Sequence, residues 1–148
     1  MTGGWYAISG AVLRYLLGFV FIYAGYQKLQ QPFLFLSTVF AYRPIAPWIA
    51  ISVGYGLPWI EVVVGTCLFT GAFLYGSLLV SCGLSALFVS AQAWALAKGL
   101  SISCGCFSPT GSDLVSYATL LRTVAILCVS LLLFGSNILK QNDKRSRQ

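Results

Sequence analysis

Two cysteines separated by a single glycine, Cys104 and Cys106, are the residues whose types and spacing most directly specify chemistry. In Ser103-Cys104-Gly105-Cys106-Phe107 the two α-carbons stand at most about 7 Å apart even when extended, and Gly105 lets the chain bend further. A disulfide between them is sterically feasible. The ring it closes is small, so its dihedral departs from the relaxed range and its reduction potential rises, which suits thiol-disulfide transfer. A small structural disulfide, or half of a metal site completed by another chain, is the competing use of the pattern. The remaining cysteines, Cys67, Cys82 and Cys128, stand singly in apolar runs and read as packing residues.

The second chemical resource is charge inside apolar segments. Ionisable residues cost a few kcal/mol in a bilayer unless paired or hydrated, so Arg14, Glu61 and Arg122 each need a partner or an exit. Counted from the span ends near Trp5 and Gly71, Arg14 and Glu61 each lie about 13 to 15 Å deep, which predicts an ion pair between the first two spans. Arg122 lies about 27 Å along the last span from Lys140, near the loop that carries the cysteines. A guanidinium there would favour thiolate, and snorkelling to the interface is the simpler alternative. Pro58, three residues before Glu61, frees a backbone carbonyl and predicts a kink.

Much other chemistry is excluded. The chain has no histidine and only three acidic residues, so Ser-His triads, His-metal sites and most carboxylate constellations are ruled out. No metal site is expected. The net charge of +6 forms no basic stripe interleaved with exposed aromatics, and no nucleic-acid partner is expected. Four of the nine basic residues, Lys140, Lys144, Arg145 and Arg147, follow the last apolar segment and read as a cytoplasmic topology signal that can also touch anionic lipid head groups.

The elements that must position these residues are membrane helices. The chain is 58% hydrophobic and 8% charged over 148 residues, with a mean hydropathy of +0.84, whereas soluble domains carry roughly 25% charged residues. A hydrocarbon span takes about 20 apolar residues. Four fit, at about 6–29, 48–70, 76–98 and 114–139, joined by a turn at Gly71 to Gly76 and by the loop 99–113. The first lacks the basic leader of a cleaved signal peptide and is read as a retained helix. The segment from Phe33 to Tyr42 is too short to span and should lie in the interface or tuck against the bundle. The fold class is therefore all-α, one membrane-embedded four-helix bundle. Four spans place both termini on one side, and the basic tail assigns that side to the cytoplasm against the weaker counter-signal of Lys28, Arg43 and Lys98. The cysteine loop is then extracytoplasmic, where disulfide chemistry is favoured.

Read together, Arg14-Tyr-Leu-Leu-Gly18, Tyr23-Ala-Gly25-Tyr-Gln-Lys28, Pro32, Tyr42, Pro44, Leu57-Pro58-Trp-Ile-Glu61, Gly65 and Cys104-Gly-Cys106-Phe107 resemble the MauE family of methylamine-utilisation membrane proteins, within the DoxX-like superfamily. The likeness runs from about residue 14 to about residue 122. It implies a four-helix protein of the cell (inner) membrane that helps mature the disulfide-rich small subunit of methylamine dehydrogenase outside the cytoplasm, with a thioredoxin-like periplasmic partner. It carries over onto Cys104 and Cys106 as the redox pair, and onto Arg14, Lys28, Glu61 and Arg122 as supporting motif positions. The family pattern continues Cys-Gly-Cys-Phe-Gly, whereas Ser108-Pro109 follows here, so the turn after the pair differs.

Two functions compete. One is a thiol-disulfide oxidoreductase or assembly factor, with no certain cofactor and with a quinone between the helices as a conceivable electron acceptor. The other is a non-enzymatic scaffold whose C-x-C disulfide is structural. A transporter using Arg14 and Glu61 is disfavoured by four spans without a visible repeat.

Overall fold

The computed structural model describes residues 3–41, 46–99 and 116–146, with side chains described for 8–40, 46–99 and 116–139. Cys104, Cys106 and the loop that holds them lie outside the described residues. Five helices follow in order: α1 (Gly3–Gln30), α2 (Pro32–Ala41), α3 (Pro47–Thr70), α4 (Leu74–Ala97) and α5 (Tyr117–Ser146). All regular structure among the described residues is helical. Four helices contain stretches long and apolar enough to cross a membrane, Ile8–Gln30, Pro47–Thr70, Leu74–Ala97 and Tyr117–Leu139.

Local chemistry sets the helix ends. Pro32 and Pro47 occupy first-turn positions, where a missing N–H costs nothing. Ser116 opens α5 reciprocally, its N–H donating to Thr119 Oγ1 and its Oγ accepting from the Thr119 N–H, in the manner of a capping box. Gly71 ends α3 in a left-handed conformation (φ 79°), its N–H bonded to the Cys67 carbonyl at 2.8 Å. The turn is shorter than the expected Gly71 to Gly76, because α4 begins at Leu74 and takes Gly76 into its first turn. At the other extreme α5 starts at Tyr117 rather than near 114, and continues through the polar residues beyond Leu139 to Ser146.

The distribution of polarity is that of a membrane protein. Ile8, Leu16, Phe19, Trp59, Val63, Leu79, Leu121 and Leu132 point outward, while Thr38, Ser77, Ser81, Ser85, Gln92 and Ser130 are buried. Most of the buried hydroxyls return to their own helix, as when Ser81 donates to the Leu78 carbonyl and Ser130 to the Ile126 carbonyl. Outward apolar faces cost nothing in lipid, and they also contribute nothing to holding helices together.

Association rests instead on close packing, which is tightest between α1 and α3. A methyl group placed on Gly65 would come within 2.8 Å of the Gly18 carbonyl and the Ile22 nitrogen, and one on Gly25 within 2.8 Å of the Pro58 carbonyl. These backbones touch because the side chains are absent. The contacts also fix an antiparallel register, Gly18 against Gly65 to Phe69 and Gly25 against Pro58 to Glu61. The short α2 lies on α3, with Leu36 filling the notch at Gly54 and Phe35 and Val39 in the core. Antiparallel α4 and α5 are tied by the Tyr75 hydroxyl to the Asn137 carbonyl near one end and by Thr123 to Gln92 near the other. The C-terminal ends of α1 and α4, the N-terminal ends of α3 and α5, and α2 thus share one end of the bundle.

Gly65→Ala should lower stability by about 1 to 3 kcal/mol, since two backbones must separate. Gly83→Ala, with open space around the site, should be neutral. Circular dichroism of unfolding in mixed micelles measures both.

Candidate functional site

The buried charges meet differently from the sequence expectation. Lys28, in the last turn of α1, places Nζ 2.5 and 2.7 Å from the two carboxylate oxygens of Glu61. The two residues are 2% and 1% exposed. Arg14 is not the partner of Glu61. It stands beside the turn after α3, where a methyl on Gly71 would approach its Nη1 to 3.1 Å, and its guanidinium lies 4.9 Å from the centre of the Tyr15 ring. The correction follows from register: Arg14, not Trp5, is level with Gly71, so Glu61 lies about 15 Å farther along α3. Side chains on a helix lean toward its N-terminus. In an antiparallel pair Lys28 and Glu61 therefore lean toward each other and close the gap between Gly25 and the end of α1.

Every other helix contributes to the surroundings. Phe88 of α4 and Phe35 of α2 present their rings to the ammonium, with centres 4.5 and 5.4 Å from Nζ, distances at which the ring quadrupole attracts a cation. A cavity of about 40 Å³ adjoins the pair, bordered by Phe21, Ala24, Ser85, Thr123 and Ile126. One water needs about 10 to 15 Å³ of such space, so the site can admit solvent. The Ser85 hydroxyl, buried without a hydrogen-bond partner, faces this region. One helical turn farther, the Thr123 hydroxyl lies 3.1 Å from Gln92 Oε1.

Chemically the pair is neutral as a unit, with room beside it for a proton-carrying water. It locks the last turn of α1 to the middle of α3, in the half of the bundle toward which α4 ends and α5 begins, with Phe88 about 16 Å before Gly99 along α4. Arg122, in the second turn of α5, is exposed and borders an apolar groove against α1. Among the described residues Cys67, Cys82 and Cys128 are free thiols. Sequence reasoning missed the Lys28 partnership, the Phe35 and Phe88 rings, and the Ser85 and Thr123 to Gln92 polar line. The available signal was Gly25 three residues before Lys28 on the same helix face, since a backbone-contact glycine puts its neighbour on that face into the interface too.

Fold and site define a multi-pass helical membrane protein built around a buried ion pair. The sequence matches the family described as Methylamine utilisation protein MauE over residues 6–135, and the chain belongs to that family. No curated protein and no solved structure matches it.

Removing one partner strands a buried charge, at a cost of about 3 to 5 kcal/mol. Lys28→Met and Glu61→Gln should each deplete folded protein in membranes strongly, and the double variant should recover most of the loss. Arg14→Gln with Glu61→Gln should show no such recovery. Quantitative immunoblotting of membrane fractions, with unfolding in micelles, separates the cases.

Proposed function

We propose that this protein is a membrane thiol-disulfide redox and assembly protein in which Cys104 and Cys106 are the exchanging pair. The observation that carries the reading is the Cys104-Gly105-Cys106 sequence inside the stretch matched to the methylamine-utilisation family, on the connection between two membrane-spanning helices. In the proposed exchange, the thiolate of one cysteine attacks a partner disulfide, forming a mixed disulfide and releasing one partner thiolate, which takes up a proton. The second cysteine then displaces the other partner sulfur. The partner gains two electrons and two protons, and Cys104 and Cys106 leave as a disulfide. The reverse sequence oxidises a partner dithiol.

We place the protein in the cell inner membrane with both termini cytoplasmic and the 99–113 connection outside, supported by the basic residues from Lys140 onward and by the oxidising chemistry available there. Its partner is a thioredoxin-like periplasmic protein, and its client the small subunit of methylamine dehydrogenase. On this reading Lys28 and Glu61 support the site indirectly, by holding the last turn of α1 against the middle of α3. Arg122, in the second turn of α5, is on the same reading the guanidinium that favours thiolate.

Cys104→Ser and Cys106→Ser should each abolish client maturation while leaving the protein in the membrane. One of the two single variants should trap a mixed disulfide with the partner, visible as a reducible higher-mass band and identifiable by mass spectrometry. Full maturation with both cysteines replaced would favour the scaffold reading.

A further inference from the structure

A second feature lies at the opposite end of the bundle from Lys28. Between α1, α4 and α5 opens a cleft of about 430 Å³, with Ser9, Arg14, Ser136 and Asn137 as its polar lining and leucines of all three helices as its walls. Leu13 also borders a second groove of about 290 Å³, which continues between α1 and α5 past Leu17, Val20, Ala125 and Val129 and is almost wholly apolar. The two adjoin at Leu13, which lines both, and α5 packs chiefly on α4 and only lightly on α1. The result is a lateral opening with Arg14 in the cleft at one end and an apolar groove at the other, bordered at its far side by Arg122.

Arg14 is the unusual element. Its Nε is buried without a hydrogen-bond partner, and among the described residues it meets no carboxylate, Glu61 being engaged by Lys28. It lies about 9 Å along α1 from Ile8, where the apolar stretch begins, a depth from which an arginine reaches toward the head-group layer. A guanidinium presents a fork of donors matched to phosphate oxygens. Lys140, Lys144 and Arg145 on the last turns of α5 lie at the same end.

We propose that this cleft binds one anionic phospholipid, its phosphate on Arg14 and an acyl chain in the groove between α1 and α5. Charge complementarity selects the head and the continuous apolar groove selects a lipid over a free anion. The lipid fills the sparse α1 to α5 contact and neutralises a guanidinium that meets no carboxylate among the described residues.

The test is native mass spectrometry of the full chain released from micelles doped with phosphatidylglycerol or phosphatidylcholine of identical acyl chains. The wild type should retain phosphatidylglycerol over phosphatidylcholine by about tenfold, because both carry the phosphate but only phosphatidylcholine carries a cation that repels the Arg14 guanidinium. Arg14→Gln should erase that preference, and millimolar inorganic phosphate should not displace the lipid. Should Arg14→Gln fail to accumulate, Ala125→Trp, which leaves every polar group in place, should still weaken retention by filling the groove. Equal retention of the two lipids, displacement by phosphate alone, or undiminished retention in Ala125→Trp would overturn the proposal. So would a preference that survives Arg14→Gln and vanishes when Lys140, Lys144 and Arg145 are changed to Gln.

Discussion

Burying Lys28 and Glu61 together is the constraint on which the rest of the bundle depends. In a bilayer, apolar faces find lipid as good a neighbour as another helix, so the spans gain little by meeting unless packing or polar pairing rewards it. Here both occur at one place. The glycines let α1 and α3 approach to backbone contact, and that approach brings an ammonium and a carboxylate within hydrogen-bond distance. Phe35 and Phe88 then close the site from α2 and α4, so that an element too short to cross the membrane becomes part of the core.

The two ends of the molecule consequently differ. Toward the end holding Lys28, the buried charges are paired with each other, and Gln92, Thr123 and Ser85 extend a polar line toward the start of α5. At the end holding Arg14, charge lines an open cleft between helices that pack lightly. The connection from α4 to α5 joins the bundle at the first end, and the open cleft lies at the other.

Much of the architecture was legible in the sequence because span length is a composition property: apolar runs of about 20 residues can satisfy their backbone only as helices in lipid. The short α2 was legible for the same reason, its length forbidding a crossing. The ion pair was not, because depth counted along single helices assumes that their ends are level, and α1 is shifted so that Arg14 meets Gly71. Lys28 looked like a flanking charge because it stands at the end of an apolar run. Its burial depends on α2 folding back over it, a tertiary fact without a local signature. For Cys104 and Cys106, spacing and family membership carry the functional reading.

The most direct test of that reading is the redox behaviour of the pair itself in native membranes. Acid-quenched thiol trapping across a graded glutathione buffer, followed by mass spectrometry of the 99–113 peptide, measures the midpoint potential. The account predicts a reversible two-electron titration of Cys104 with Cys106 at a potential above about −300 mV, where labile disulfides lie. A pair that stays reduced throughout the series, or one that stays oxidised under the most reducing buffer, would contradict it.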